Sequence, residues 1–415
     1  MSNQGITMRY RTVVFFLLRV LLIGLIQQTN AKELTIATWN MGWHLSNTEA
    51  DHWIRECNSN FSENNLGIWQ KSSYGQTIGW KLPWGRNAPI EWNIRVTPPC
   101  DVYRNGDEVI SVSLASYKKR ADRLAKFIKE RLTADVIAFQ EVSGEQSIKD
   151  ILAKQGLDYK VCSYRGHSIQ KLAFAWNKKL RADASCTVYE PLALSGMNSL
   201  RPGLKLTLKF DKDTISFLNV HLKSSCVTFL ESLDSNGKGQ LSGTDQACVI
   251  LQQQIKPLKN WLDKTLENEN KLVLLGDFNR NLWHEYYALK DKFVLSEEKA
   301  NNLWQEINDG KNQNESFRLL DEQCNITAEA KLLCEESKKR VLTKKERNYL
   351  SSSSVLGCRN SVGVDHIVVA LNVKIKDSVE ILSINGEDTS TIVDKEKDKA
   401  LPLSDHCPHR AKVVF

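Results

Sequence analysis

The chain alternates short apolar runs of strand type with fewer, longer segments of helical period. Leu34–Trp39, Asp135–Gln140, Tyr159–Tyr164, Lys171–Trp176, Leu204–Phe210, Thr214–His221, Leu272–Leu275, Val364–Ala370 and Ala411–Phe415 read as strands. Ala115–Leu132 reads as a helix, because Leu124, Phe127, Ile128 and Leu132 recur at helical spacing, and Gln246–Leu262 reads as another. Many strands follow one another across short turns, which favours antiparallel pairing. The expected class is α/β, with helices layered around two packed sheets. Two stretches interrupt this pattern. Residues 44–114 look irregular, with Trp43, Trp53, Trp69, Trp80, Trp84 and Trp92 in or beside them among Gly, Asn and Pro. That stretch reads as a loop-rich insertion packed on its own indoles, with a base- or sugar-stacking surface as the alternative. Residues 282–357 read as a second insertion, mostly helical and polar.

Composition narrows the class without choosing a function. With 41% hydrophobic and 25% charged residues, the 415-residue chain is neither collagen-like nor wholly disordered. The net charge of +7 permits a polyanionic partner but does not establish one. The N-terminus has a basic start (Arg9, Arg11), an apolar run from Val13 to Ile26 broken by Arg19, and small residues near Ala31. Residues 1–31 therefore read as a cleaved secretory signal, with an uncleaved anchor as the alternative. Ten cysteines without a C-x-x-C pair suit disulfides in an oxidising compartment rather than a zinc site. Loop length alone suggests neighbour pairs such as Cys162 with Cys186 and Cys226 with Cys248, and the Trp-rich insertion reads as fastened by Cys57 and Cys100. Asn60, Asn314 and Asn325 fit the glycosylation pattern, which matters only in a eukaryotic secretory route.

Chemistry concentrates where strands end. Asn40 follows the first strand and Gln140-Glu141 the second. Asn219-Val-His221 ends another, and Gly276-Asp277-Phe278-Asn279 the next. Gly363-Val-Asp365-His366 opens a late strand, and Ser404-Asp405-His406 precedes the last. Such groups converge at one rim of a sheet, where a rigid scaffold aims them. Carboxylates with few His or Cys suit a hard cation such as Mg²⁺ or Mn²⁺. Singly, each string reads more simply as a turn or a cap; together and in order they are specific.

The strings ATWNMGW (37–43), IAFQEV (137–142), FLNVHLKS (217–224), LLGDFNRN (274–281), GVDHIVV (363–369) and LSDHCP (403–408) resemble those of the endonuclease/exonuclease/phosphatase superfamily. The resemblance covers the core from near the mature start to near the end, but neither insertion. It implies a four-layered α/β sandwich and phosphoester cleavage at its rim. Asn40 and Glu141 would sit at the metal, with Glu141 the principal ligand and Asp405 completing that side. Asp277 would align or deprotonate the attacking water, Asn279 would hold the phosphate, and His221 would donate to a non-bridging oxygen. Asp365 would orient His406. More weakly, Arg201 resembles a phosphate-contacting Arg of deoxyribonuclease I, and Arg165 lies where that relative places groove-facing residues. Gln170 stands where the same relative has an acid supporting the first His. His409 stands where an apolar residue is usual.

The loops, not the rim, choose the substrate. Two basic clusters lean toward nucleic acid: Lys118, Lys119, Arg120 and Arg123, and Lys338, Lys339, Arg340, Lys344, Lys345 and Arg347. A solvated helix face paired to Glu335, Glu336 and Glu346 is the plainer reading. The rival enzyme is a phosphatase or a sphingomyelinase-like lipid phosphodiesterase, whose tryptophans would meet a membrane interface. A non-catalytic binding module would require loss of Glu141, Asp277 or His406, and all three are present. The expectation is a secreted Mg²⁺- or Mn²⁺-dependent nuclease with no membrane span after residue 31.

Overall fold

The computed structural model describes residues 32–415 apart from 86, 106, 167–168, 196–199, 212, 234–237, 270, 291–301, 310–315 and 385–399. The expected signal segment lies outside the described residues. The elements used below are strands β1 (Glu33–His44), β2 (Val136–Val142), β3 (Tyr159–Ser163), β4 (Lys171–Asn177), β5 (Asp183–Tyr189), β6 (Gly203–Lys209), β7 (Thr214–His221), β8 (Leu272–Asp277), β9 (Phe317–Leu319), β10 (Asp365–Ala370), β11 (Val379–Ile381) and β12 (His409–Val414). The helices are α1 (Asn47–Cys57), α2 (Leu114–Phe127), α3 (Glu145–Lys154), α4 (Gln246–Asn268) and α5 (Leu282–Lys290). One sheet runs β11-β12-β1-β2-β4-β3, with short Glu322–Gln323 and Lys374–Ile375 at its edge. The other runs β5-β6-β7-β8-β10-β9.

The alternation of side chains explains the layers. Leu34, Ile36, Val136 and Ala138 join Phe217, Val273 and Leu275 in a core that spans both sheets. The intervening Ala37, Trp39, Ile137 and Phe139 face the other way, onto Leu124, Phe127 and Ile128 beside Ile148, Ile151 and Leu152 of α3. Helix α4 covers the second sheet; its Trp261 lies so close over Gly203 that a Cβ there would strike the indole. Helices α2 and α3, the two sheets and α4 make the four-layered α/β sandwich expected from the sequence. Most pairings are antiparallel; β1/β2, β7/β8 and the short Glu322–Gln323 against β11 are parallel, and the first two matter for the site. All ten cysteines are paired, as Cys57–Cys100, Cys162–Cys186, Cys226–Cys248, Cys324–Cys334 and Cys358–Cys407. Among the described residues, no helix is long and apolar enough to cross a membrane.

The first insertion is more ordered than its sequence suggested. It opens with α1, whose Ser46 and Glu49 form a capping box and whose Ala50, Trp53, Ile54 and Cys57 are buried at helical spacing. Its indoles are used internally. Trp53 and Trp80 meet edge to face, as do Trp84 and Trp92. Trp53 Nε1 donates to Pro98 O, Trp84 Nε1 to Gly79 O and Trp92 Nε1 to Thr97 O. The second insertion starts at α5, anchored by a fully buried ion pair: Arg280 Nε donates to Glu285 Oε1 at 2.7 Å. Glu285 Oε2 also accepts from Trp304 N, and Arg280 O accepts from His366 Nε2. Breaking such a pair strands the other charge. Glu285→Ala is therefore expected to cost about 3–5 kcal/mol in urea unfolding; an unchanged midpoint would show that the pair does not hold the loop after β8.

Candidate active site

Parallel pairs finish at the same edge of a sheet. Asn40 lies opposite Gln140 in the β1/β2 register, and His221 opposite Asp277 in β7/β8. Antiparallel β10 begins at that edge, with Asp365 opposite Asp277. Antiparallel β12 is entered there too, which brings in Ser404-Asp405-His406. Asn40, Glu141, His221, Asp277, Asn279, Asp365, Asp405 and His406 are thereby gathered on one rim. Backbone irregularity aims two of them. The β1/β2 register shifts after Asn40, and Glu141 has φ +54°; Asn279, after the Gly276 turn, has φ +51°. Non-glycine residues hold such angles only where the surrounding structure imposes them. Gly276 (φ +141°) lies so close to the Val220 carbonyl that any side chain would collide with it.

The polar groups form a connected chain. Asn40 Nδ2 donates to Asp277 Oδ2 at 2.9 Å, and Asn279 N to Asp277 Oδ1 at 2.8 Å. His406 Nδ1 lies 2.6 Å from Asp365 Oδ2, and its Nε2 lies 3.9 Å from Asp277 Oδ2. His221 Nε2 lies 3.5 Å from Asp277 Oδ2 and 3.7 Å from Glu141 Oε1. Glu141 Oε2 accepts from Trp43 N. Arg201 Nη2 and Asn279 Nδ2 both donate to Leu222 O, so one carbonyl anchors two candidate phosphate contacts. Behind the rim, Ser404 Oγ donates to Asn40 O and accepts from His406 N. The rim borders a cleft of about 780 Å³, lined by Glu141, Gln170, Arg201, His221, Asp277, Asn279, Asp405 and His406 among others.

Burial and like charge set the protonation states. The Asp277 carboxyl is pushed up to about 7, chiefly by desolvation and then by Asp365. Glu141 is raised by burial and by Asp405. His221 is held well below its ordinary value by burial and by Arg201, and stays neutral. His406 is also buried, but Asp365, Asp405 and Asp277 outweigh desolvation and raise it well above the ordinary imidazole value. Carboxylates destabilised by their own proximity suit a hard cation, and Glu141, Asp405 and the Asn40 amide offer oxygen donors for one. Asp277, Asp365 and His406 form a second possible cluster, with ligand atoms within 4.8 Å of one another. There, however, Asp365 Oδ2 and His406 Nδ1 already bind each other.

Several expectations need correction. Gln170 lines the cleft, but among the described residues His221 Nδ1 has no hydrogen-bond partner, so the expected amide support from Gln170 is not made. Exposed Arg165 lines a neighbouring depression with Lys171 and the start of α3 instead of the main cleft. Much of the two basic clusters is structural. Arg120 is fully buried and donates to Met41 O, Pro402 O, Leu403 O and His44 Nδ1, fixing the end of β1 against the loop before Asp405. Lys338 is buried on Asp321 and Glu335, and Arg340 pairs with Glu336 and Glu346. Lys118, Lys119, Lys339, Lys344, Lys345 and Arg347 do reach the surface. His409 opens β12 as a buried residue, and its imidazole is held down by desolvation.

The cleft also holds residues that were not anticipated. Tyr103 and Arg104 of the first insertion line it, as do Arg359 and Asn360 just past the second. The Tyr103 hydroxyl is buried and has no hydrogen-bond partner among the described residues. Tyr103 lies three residues after Cys100, whose bond to Cys57 is expected from the sequence, but nothing in the local pattern marks Tyr103 itself.

A two-sheet sandwich with acids, amides and imidazoles on one rim defines a phosphoester hydrolase of this architecture. The model of the Endonuclease/Exonuclease/phosphatase family matches residues 90–406, and the chain belongs to that family, whose members are hydrolases acting on phosphoester bonds. No curated protein sequence matches it significantly. Similar solved structures include a family protein from Bacteroides thetaiotaomicron (11% identity, 93% of this chain and 98% of that one, TM-score 0.43). They also include a humanized D. rerio TDP2 (12%, 92% and 98%, TM-score 0.42) and the human nocturnin catalytic domain (12%, 78% and 92%, TM-score 0.42).

Proposed function

We propose that this protein is a secreted, Mg²⁺- or Mn²⁺-dependent phosphodiesterase that hydrolyses nucleic acid. The observation that carries the chemistry is the chain Asn40–Asp277···His406–Asp365 beside Glu141, in which an acid and an imidazole are both shifted upward, the acid by burial and like charge and the imidazole by its acidic partners. Asp277, gripped by Asn40 and by the Asn279 backbone, aligns a water and takes its proton. His406, held by Asp365, presents a protonated Nε2 to the phosphate or the leaving oxygen. Neutral His221 donates to a non-bridging oxygen, with Asn279 and Arg201 beside it. A divalent cation held by Glu141, Asp405 and Asn40 would supply charge at the phosphate and acidify a bound water. The five disulfides fit the secretory route.

Nucleic acid as substrate is supported by guanidinium groups at the cleft, Arg104 and Arg359, together with the surface lysines of both clusters. A lipid phosphoester is the second reading. Its support comes from the outward Leu66, Tyr74, Ile94 and Val96 of the first insertion rather than from the indoles. Plasmid, single-stranded DNA, RNA, sphingomyelin vesicles and inositol phosphates, each with Mg²⁺, Mn²⁺ or EDTA, separate the readings. Cleavage of lipid alone would reverse the ranking, and activity that survives EDTA would remove the cation.

The tuned pair also predicts a bell-shaped pH profile of kcat/KM. Activity rises as Asp277, its carboxyl pushed up to about 7, ionises. It falls on the alkaline side as His406 loses its proton. Asp277→Asn should remove the acid limb together with most of the rate; an unaltered limb would assign it to another group.

A further inference from the structure

Cys358 and Cys407 are joined and buried. Two residues follow the first cysteine, Arg359 and Asn360, and two precede the second, Asp405 and His406. The cross-link lays these dipeptides side by side. Asn360 N donates to Asp405 O at 2.7 Å, and Asn360 pairs with His406 as an isolated parallel bridge. The side chains are engaged too. Asn360 Nδ2 lies 2.9 Å from His406 Nε2 and 3.2 Å from Asp405 Oδ2, while Arg359 Nη2 lies 2.7 Å from the same carboxylate oxygen. Both residues line the cleft.

The two contacts do different things. An amide nitrogen carries two protons, so Asn360 can reach Asp405 and His406 at once. With Nδ1–H directed to Asp365, Nε2 is the ring nitrogen left for chemistry. The neutral ring accepts there from the Asn360 NH2, and the protonated ring donates to the same amide once it turns its Oδ1 inward, so Asn360 steadies Nε2 from the side opposite Asp365 in either state. Arg359 differs in being 76% exposed at its side chain, with its guanidinium on an acid that a cation at Glu141 would also use. A planar guanidinium on a mobile stem suits a phosphate as well as a carboxylate.

We propose that the disulfide-clipped pair Arg359–Asn360 belongs to the working centre. Asn360 is a positioning residue for the His406 imidazole. Arg359 binds a non-bridging oxygen of the substrate phosphoester, released to it when a divalent cation takes Asp405. The proposal rests on the phosphoester reading above.

The test uses the full mature chain. Asn360→Ala should lower kcat about 10–100-fold with KM held within about threefold. Asn360→Asp, isosteric but without the two protons, should lose at least as much. Arg359→Ala should do the reverse, raising KM about tenfold with kcat nearly kept, and Arg359→Lys should recover part of it. Two readouts need no turnover. Calorimetric titration with Mn²⁺ alone should show tighter binding to Arg359→Ala than to wild type, because a competitor for Asp405 is gone. The ring-nitrogen resonances of His406 should shift in Asn360→Ala. Unchanged Mn²⁺ affinity with unchanged KM would overturn the role of Arg359, and unchanged kcat with unchanged resonances that of Asn360. If wild type cleaves no phosphoester, the functional reading fails, while the Mn²⁺ and resonance measurements still decide whether the clip is built as described.

Discussion

Asp365→Asn is expected to lower kcat by about 10²–10⁴-fold while leaving the fold intact, and to move both limbs of the pH profile toward acid. The side chain is buried at the start of β10, 2.6 Å from His406 Nδ1, and opposite Asp277 across the β8/β10 ladder. It therefore acts on two groups in opposite ways. Its charge is the leading contribution holding the His406 proton against desolvation, and it is the charge that most raises Asp277. Neutralising it removes a partner from the imidazole, so His406 titrates lower. It also removes a repeller from Asp277, which titrates lower as well. The isosteric amide keeps the volume but can leave the ring in the wrong tautomer, which accounts for the loss in rate. Measuring kcat/KM from acid to alkaline pH separates this from simple damage. Limbs that stay in place beside a large loss of rate would mean that Asp365 only shapes the backbone and that the proton is moved elsewhere.

The six strings were legible because each places its polar residue at a strand end, and the topology turns strand ends into neighbours. Asn40, Glu141, His221 and Asp277 end strands of two parallel pairs, so no long-range information beyond strand order was needed to group them. Helix α1 was missed although Ser46-x-x-Glu49 is a readable cap, because its surroundings of Gly, Asn and Trp hide the apolar spacing. Strand β5 was missed for another reason: it is an edge strand with most side chains in solvent, and so lacks an apolar alternation.

Arg120 marks a real boundary of sequence reading. In a run of Lys and Arg it looks like its neighbours, and only the fold shows that its guanidinium is spent on three backbone carbonyls and His44. Asn360 and Tyr103 lie beyond that boundary too. Each reaches the cleft through a disulfide whose partner lies more than 40 residues away. The same long-range contacts undo part of the sequence argument for nucleic acid, leaving the substrate to the cleft walls.

Glu141→Gln is expected to move stability and activity in opposite directions. Glu141 is partly buried, its side chain 15% exposed, at a positive φ, and its ionised form is opposed by desolvation and by Asp405. An acid whose folded pKa exceeds its unfolded value binds more protons folded than unfolded. It costs nothing below the unfolded value of about 4.3, and its penalty grows as pH rises through the folded value. In EDTA the variant should therefore unfold at a higher urea concentration than wild type at neutral pH, with the gap narrowing as pH falls below the ordinary carboxylate range. Adding Mg²⁺ or Mn²⁺ should stabilise wild type by mass action and the variant much less, because the amide is a poorer ligand. Turnover with the cation present should drop by about 10²–10³-fold or more. This is the balance of a site that keeps an unfavourable charge because the chemistry needs it. A variant that is less stable in EDTA, or that gains as much from Mn²⁺ as wild type does, would place the cation away from Glu141 and make Asp277, Asp365 and His406 the next candidates.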